Sequence, residues 1–413
     1  MGRVKNLTEW TRKICAFVLA AVSVVAFGLG LTSCTETGLT LELSADETYY
    51  IVTDCPEDET EAVIPASYQG KPVKAIAKNA FAKCGGLTSV SIPDSVAYIQ
   101  SEAFADCPNL QYTEKGNAKY LGNENNPYVY LAKAVSTDIT EVTIENECKV
   151  IDSFAFFGCS NLQYTEKENA NYLGNEANPY FYLAQAVSTE LERVTVEADC
   201  KVIGGYAFSG CKKLQGVTIP DSVVDIGMRA FYGCGKLQSI SIPNGVMNVG
   251  ASAFSYCGLK SVSLPASLIN IGEGAFSYCQ SLSSVRIPDS ITEISARAFE
   301  GCYQLSGVTM GKKVTKIWEF AFAESGLKSV SIPDGVTMVG VSAFSGCGDL
   351  VSVTIPASVT VIGPNAFMYC SDLKSIRFKG TKAEWEKVSK GGMWAYYVEA
   401  ESVDCTDGSV DLG

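Results

Sequence analysis

The amino-acid sequence predicts a mainly β solenoid with short helical turns, wound as a right-handed spiral of about 11 coils of roughly 22–23 residues each. Three observations predict this fold. Ala-Phe pairs return at a fixed interval, a segment of alternating apolar and polar residues precedes each pair, and two longer intervals carry matching insertions. With 47% hydrophobic residues among 413, the chain can form a core along its whole length.

The Ala-Phe pairs define the repeat. Most successive phenylalanines of these pairs are about 22–23 positions apart, and two longer intervals of about 52 positions each contain one repeat plus an insertion. Such self-similarity is typical of a solenoid whose coils contact only their neighbours. The phenylalanines are Phe81, Phe104, Phe156, Phe208, Phe231, Phe254, Phe276, Phe299, Phe322, Phe344 and Phe367.

Each part of the repeat has a predicted structural role. In the unit LSSVRIPDSITEISARAFEGCYQ, the side chains of Leu282, Val285 and Ile287 are expected to point inward, and those of Ser284 and Arg286 outward, as in a short strand. The following proline lacks an N–H and ends this strand. The ITEI segment then returns along the other wall, and the Ala-Phe pair begins a tight helical turn.

The terminal segments are expected to cap the solenoid, which spans residues 73–378. Residues 34–72 contain short strand-like runs and form an N-terminal linker and cap. Residues 379–413 form a C-terminal cap, in which a helix is predicted over Lys382 to Lys390.

The two insertions, at about residues 111–138 and 163–190, are nearly identical in sequence. GNENNP and GNEANP are turn signals between strand-like runs, so each insertion is predicted to be a β-hairpin that leaves the solenoid. Tyr128, Tyr130, Tyr180 and Tyr182 would then lie on matching faces and could anchor a partner. The alternative is that these tyrosines pack against their own coils.

Residues 1–33 are expected to be a lipoprotein signal peptide. Arg12 and Lys13 precede an uncharged run of 18 residues that ends at Leu31. Leu31 and Ser33 precede Cys34, whose thiol would carry the lipid and so tether the protein to a membrane. The alternative is an uncleaved N-terminal membrane helix.

The repeat, LxxVxIPxSVxxIgxxAFxxCxx, resembles the BspA-like (treponemal-type) leucine-rich repeat family, whose motif is LxxLxLPxxLxxIgxxAFxxCxx. The resemblance covers about Val73 to Phe378. It implies a leucine-rich repeat solenoid and a secreted or surface-anchored adhesin that binds host proteins or other cells. Two departures keep the size and turn chemistry of the motif: Met310, Gly311 and Lys312 replace Ile-Pro-Asp, and Ser325 replaces the cysteine.

Ten of the sixteen cysteines occupy one repeat position and are predicted to form a structural ladder. A small, weakly donating thiol suits the crowded corner where the chain turns back, so buried free thiols are expected. The alternative is that some neighbouring pairs form disulfides in an oxidising setting. The ladder consists of Cys84, Cys107, Cys159, Cys211, Cys234, Cys257, Cys279, Cys302, Cys347 and Cys370.

The outward positions of the LxxVxI strands form a face rich in serine and threonine, with Arg286 and Arg377 as its strong contacts in the C-terminal half. Such a face could bind an extended chain or glycan through many weak hydrogen bonds. The alternative is a solvated surface whose small side chains allow the sheet to curve.

Charge and composition argue against several functions. The formal charge of −13 becomes −16 without the leader, which carries four basic residues and one acidic residue. An acidic body repels phosphate backbones, so nucleic acid is not an expected partner. Histidine is absent from the sequence, which excludes Ser/His and Cys/His catalytic pairs.

A metal or cofactor is not expected either. Asp94, Asp221, Asp289 and Asp334 follow the repeat proline, but asparagine or alanine takes this position in other coils. Capping of the local turn therefore explains these aspartates better than a column of calcium sites.

The leading hypothesis is a lipid-anchored adhesin or protein-binding module at the cell surface or outer membrane, without catalytic activity. Its expected partners are host or bacterial surface proteins, with glycans as a further class. The alternative is a structural scaffold of the cell envelope that self-associates through its repeats.

Overall fold

The computed structural model describes residues 32–34, 38–44, 46–100 and 102–412. They form a β-solenoid of about 15 turns that is mostly β, with almost no helix. This confirms the predicted fold class but corrects the count of about 11 coils. The N-terminal segment, the two insertions and the C-terminal segment lack the Ala-Phe motif, yet each adds a parallel strand to the stack.

Each regular coil contributes a first short strand, here named an A strand, from its LxxVxI segment. The predicted alternation is confirmed: Leu282, Val285 and Ile287 are buried, whereas Ser284 and Arg286 are exposed. A strands pair in parallel in separate groups, each of two or three neighbouring coils. They are β4 (Glu61–Val63), β7 (Ser89–Ser91), β16 (Arg193–Thr195), β18 (Gly216–Thr218), β20 (Ser239–Ser241), β22 (Ser261–Ser263), β24 (Ser284–Arg286), β26 (Gly307–Thr309), β28 (Ser329–Ser331), β30 (Ser352–Ile355) and β32 (Ser375–Phe378).

A second short strand, here named a B strand, comes from the VxxI segment of the coil. B strands also pair in parallel, so that Ile226, Val249 and Ile271 face one another in register. They are β6 (Lys71–Ile76), β8 (Tyr98–Ile99), β12 (Val150–Ile151), β17 (Val202–Ile203), β19 (Asp225–Ile226), β21 (Asn248–Val249), β23 (Asn270–Ile271), β25 (Glu293–Ile294), β27 (Lys316–Ile317), β29 (Met338–Val339), β31 (Val361–Ile362) and β33 (Ser389–Lys390).

The Ala-Phe pairs lie in register, one coil above the next. From Phe208 to Phe367, eight successive phenylalanines are fully buried, with ring centroids 5.1–5.6 Å apart and ring planes within 10° of parallel. The N–H of Phe254 donates to the carbonyl oxygen of Ala275 in the next coil across 2.8 Å, and the equivalent bond recurs from Phe208 to Phe344, whereas Phe367 donates to the carbonyl oxygen of Trp394. The segment is a hydrogen-bonded turn rather than a regular helix.

Two backbone features shape the corner before each Ala-Phe pair. The residue directly before the pair has a positive φ, for example 54° at Arg229 and 53° at Ser252. In six coils the residue two positions earlier is a glycine, and a Cβ on Gly250 would lie 2.6 Å from the backbone nitrogen of Met228. The same close approach recurs at Gly272, and these glycines form a column, here named the glycine column, along which neighbouring backbones lie close together.

The insertions are part of the solenoid, which corrects the prediction of hairpins that leave it. In each, the strands flanking the predicted turn do pair antiparallel, and a third strand joins them. The last strand of each insertion then pairs in parallel with the next B strand, which places it inside the stack. The strands are β9 (Thr113–Lys115), β10 (Ala118–Leu121) and β11 (Tyr130–Ala134), then β13 (Thr165–Lys167), β14 (Ala170–Leu173) and β15 (Tyr182–Ala186).

The two ends carry the irregular strands. At the N-terminal end are β1 (Thr32–Cys34), β2 (Thr40–Leu43), β3 (Tyr50–Asp54) and β5 (Ser67–Tyr68); at the C-terminal end are α1 (Lys382–Lys387), β34 (Ser402–Cys405) and β35 (Gly408–Asp411). Helix α1 begins at the predicted residue but ends three residues earlier, because Ser389 and Lys390 pair with β31. Strand β35 folds back antiparallel on β34 at the edge of the A strands.

Candidate functional site

The outward side chains of the A strands form a polar face, here named the A face, whose strand pairing is interrupted between β18 and β20, between β22 and β24, and between β26 and β28. Ser329, Ser352 and Ser375 are partners in register, and Arg377 stands beside Thr354 on the neighbouring strand. Arg286 is exposed and lies opposite Thr309. Because the register is kept from coil to coil, these groups present donors and acceptors at strand spacing.

Tyr130 and Tyr182, predicted as exposed anchors, are buried, with 4% and 3% of their surfaces exposed. Their rings pack 6.1 Å from Phe104 and 5.4 Å from Phe156 respectively, so they fill the coil interior where an insertion interrupts the phenylalanines. The Tyr130 hydroxyl donates to Asp152 Oδ2 across 2.7 Å. These contacts match the alternative of internal packing and leave the two rings no surface for a partner.

Tyr128 and Tyr180 are partly exposed, and their rings pack edge-on against Tyr120 and Tyr172. The side-chain oxygen of Asn178 accepts from the backbone N–H of Tyr180 across 3.0 Å, and the first insertion has the equivalent bond. The turn chemistry of GNENNP and GNEANP thus fixes both rings at the surface.

The cysteines of the ladder are buried free thiols. In most coils the thiol donates to the carbonyl oxygen of the phenylalanine one coil earlier, as from Cys302 to Phe276 across 3.2 Å. Ser325 takes the cysteine position in one coil, and its Oγ lies 3.3 Å from Cys347 Sγ. Cys148 and Cys200 lie outside the ladder, are also buried, and each donates to a carbonyl oxygen in its own coil.

The structure also contains a groove that the sequence analysis missed, here named the inner groove. It lies beside the B strands, has a volume of about 820 Å³, and is lined mainly by residues that follow these strands, at the corner before the Ala-Phe pairs. Some lining residues come from coils near the N-terminal end and others from coils between Met228 and Glu319, so the stack curves. Its charged lining residues are Lys78, Glu102, Asp152, Glu273 and Glu319.

A row of hydrogen-bonded polar side chains borders this groove. Asn248 Nδ2 donates to Asp225 Oδ1 across 2.6 Å, and Asn270 Nδ2 donates to Asn248 Oδ1 across 2.7 Å. The three residues are partners in register on β19, β21 and β23. They occupy one repeat position of the VxxI segment, so the repeat spacing was the signal that could have identified them.

Two buried carboxyl groups belong to this border, Asp225 in the row itself and the nearby Asp152. Burial and, to a lesser extent, the Asp152 carboxylate raise the pKa of Asp225 to about 7, against the lowering effect of the Asn248 hydrogen bond. Burial also raises the pKa of Asp152. The floor of the groove therefore disfavours additional negative charge.

The aspartates that follow the repeat proline make local contacts. Asp289 Oδ1 accepts from the backbone N–H of Lys312 across 2.8 Å, and Asp334 Oδ1 lies 2.6 Å from Lys379 Nζ. Among residues 32–34, 38–44, 46–100 and 102–412, there is no group of three or more potential metal ligands.

The predicted leader lies outside the described residues except at β1, and the side chain of the predicted lipidation residue Cys34 is likewise outside them. No helix in the described part of the chain is long and apolar enough to cross a membrane.

Comparison with known proteins identifies the repeat. The profile of the BspA type leucine rich repeat region matches six copies, over residues 66–125, 185–257 and 247–374. No curated protein matches the chain.

Several solved structures are also similar to the chain. A leucine rich cell surface protein from Faecalibacterium prausnitzii is 27% identical over 88% of this chain and 99% of that chain, with a TM-score of 0.37. A leucine-rich repeat protein from Bacteroides ovatus is 21% identical over 89% of this chain and 98% of that one, with a TM-score of 0.38. The pneumococcal vaccine antigen PcpA is 16% identical over 93% of this chain and 100% of that one, with a TM-score of 0.34.

Proposed function

Because this chain belongs to the family of BspA-type leucine-rich repeat proteins, we propose that it is a surface-exposed, lipid-anchored module that binds other proteins and catalyses no reaction. Its partners in this proposal are surface proteins of a host or of other bacteria, which makes it an adhesin. The lipoprotein-like sequence that ends at Cys34 supports export and anchoring.

The A face is the observation that carries the proposal. It repeats exposed hydroxyl groups at strand spacing over many coils, on a scaffold whose interior is filled by side chains. A rigid surface of this kind loses little conformational entropy on binding, which favours recognition of extended partners.

Four side chains are the proposed anchors on this protein. Arg286 and Arg377 lie on the A face, and Tyr128 and Tyr180 are the partly exposed rings of the insertions. Arginine and tyrosine contribute most often to the energetic centres of protein interfaces.

A binding screen tests the adhesin role. The purified protein would be immobilised and exposed to a panel of host extracellular proteins and bacterial surface proteins, with saturable binding to at least one expected. The double variant Arg286→Ala, Arg377→Ala should weaken that binding by about thirtyfold, since two lost contacts at roughly 1 kcal/mol each sum to about 2 kcal/mol. Arg229→Ala, an exposed arginine at the Ala-Phe corner, is the matched control. Failure of the whole panel would contradict the proposal.

Mass spectrometry of the intact protein tests the anchor separately. We expect the mature chain to begin at Cys34 and to carry acyl chains, and the Cys34→Ala variant to lack them. A mature protein that retains residues 1–33, or that has an unmodified Cys34, would exclude lipid anchoring.

A further inference from the structure

The charges that line the inner groove are unbalanced. Glu102, Asp152, Glu273 and Glu319 face into it, whereas Lys78 is the cation among its lining residues. Lys78 Nζ already lies 2.9 Å from Glu102 Oε2. A positively charged ligand would therefore meet carboxylates whose charge this lysine does not offset.

Carboxylates around the groove also repel one another. After burial, the negative charge of Glu102 raises the pKa of Asp152. A cation placed between these two like charges would relieve their repulsion.

The amide side chains at the border of the groove are oriented so that one oxygen can accept a hydrogen bond. Asn270 and Asn248 both donate toward Asp225, so the acceptor oxygen of Asn270 is at the opposite end of the row. Beneath the row, the Tyr98 hydroxyl is buried without a hydrogen-bond partner among the described residues. It lines a small chamber with Asp225, and burial followed by the Asp225 and Asp152 carboxylates raises its pKa.

Aromatic rings form part of the lining of the inner groove. Trp318 and Phe154 both line the groove. The Trp318 ring is held by a 2.7 Å hydrogen bond from its Nε1 to Glu293 Oε2, and the Lys316 ammonium lies 5.4 Å from the ring centre. Such rings pack against the hydrocarbon stems of lysine and arginine and attract their charged ends.

We propose that the inner groove binds a segment of another polypeptide that carries lysine or arginine side chains. The ammonium or guanidinium groups pair with Glu273 and Glu319, and their stems pack on Trp318 and Phe154. The volume of about 820 Å³ is within the range of ligand sites. This site is on the B strands and is separate from the A face, so it adds a second binding function to the proposed one.

Calorimetric titration of the purified protein with a hexalysine peptide tests the proposal. We expect saturable binding at low ionic strength, weakening as salt is added, and no binding of hexaglutamate. Spermine is the competing small cation. If spermine binds as tightly as hexalysine, the occupant is a polyamine and the proposal of a peptide is wrong. Absence of hexalysine binding would also overturn it.

A pair of matched variants locates the binding. Glu273→Gln with Glu319→Gln removes two exposed groove charges and should weaken hexalysine binding at least tenfold. Glu176→Gln with Glu401→Gln removes the same charge from exposed positions outside the groove and should change affinity less than twofold. Equal weakening in both would show attraction to the net charge alone and would overturn the assigned site. Thermal unfolding should be unchanged in both, since all four side chains are exposed.

Discussion

The thiol of Cys279 donates a hydrogen bond to the carbonyl oxygen of Phe254, one coil earlier, across 3.1 Å. The same oxygen accepts the backbone N–H of Cys257 at 3.2 Å, so both of its lone pairs are used. Repeated along the ladder, this contact joins neighbouring coils without a covalent bond. Ser325 shows that a hydroxyl is accommodated at the same position.

Removing the Cys279 thiol, which donates this hydrogen bond, should lower the free energy of unfolding. Cys279→Ala leaves the Phe254 oxygen with one partner and opens a small cavity, for an expected loss of about 1–2 kcal/mol. Cys279→Ser keeps a donor and should lose less than Cys279→Ala. Chemical denaturation of the three proteins gives the comparison, and a serine variant no better than alanine would show that the hydrogen bond contributes nothing.

The glycine column predicts a large effect from one methyl group. In Gly250→Ala the new Cβ would meet backbone atoms of Gly227 and Met228 at 2.6–2.7 Å, so two coils must separate. We expect a loss of about 1–3 kcal/mol and faster hydrogen exchange in those coils. Gly307→Ala is the control, because a Cβ there meets nothing within 4 Å. Similar melting temperatures for both variants would contradict the close packing.

The pH dependence of stability should reflect Asp225. Its folded pKa of about 7 exceeds the value near 4 of an unfolded aspartate. The folded state therefore binds the proton more tightly, and the stabilisation present below pH 4 is lost as the pH rises to 7. Asp225→Asn cannot titrate, so we expect the variant to gain stability relative to the natural protein between pH 4 and 7, on the order of a few kcal/mol. Parallel pH profiles of the two unfolding midpoints would disprove this.

The thiols should be unreactive in the folded protein. Burial raises the pKa of Cys148, Cys200 and Cys279 to about 12, so almost no thiolate exists at pH 8. Cys405 is the partly exposed cysteine among those described. With Ellman's reagent we expect it to react first and the ladder to react only on unfolding. The fast phase should disappear in Cys405→Ser and persist in Cys279→Ser; rapid reaction of the ladder would refute its burial.

Sequence periodicity predicted the core because burial repeats with the motif. Leu282, Val285 and Ile287 were assigned inward from alternation alone, and all three are buried. The number of turns was underestimated, since Tyr130 and Tyr182 continue the stack without an Ala-Phe pair to mark them. Local turn signals identified the antiparallel strands of the insertions. They carry no information about the pairing of the last strand of each insertion, β11 or β15, with the B strand of the next coil.

The sequence did not predict the backbone conformation at the corner before the Ala-Phe pairs, nor did it predict the inner groove, and the reasons differ. Arg229 and Ser252 adopt positive φ although neither is glycine, so residue type does not reveal the conformation. Glu102 and Glu319 line the same groove although many coils separate them along the chain, so the stack curves between them. A repeat motif describes one coil and its neighbour, and does not encode this accumulated curvature.

The register between coils also bears on how the molecule changes length. Excision of the single unit from Leu282 to Gln304 would put Leu305 where Leu282 was, with the same buried role and the same facing neighbours. Each such deletion should shorten the stack by one strand spacing, about 4.8 Å, while the remaining contacts are re-formed. The number of units therefore sets the length measured along the curved stack in discrete steps.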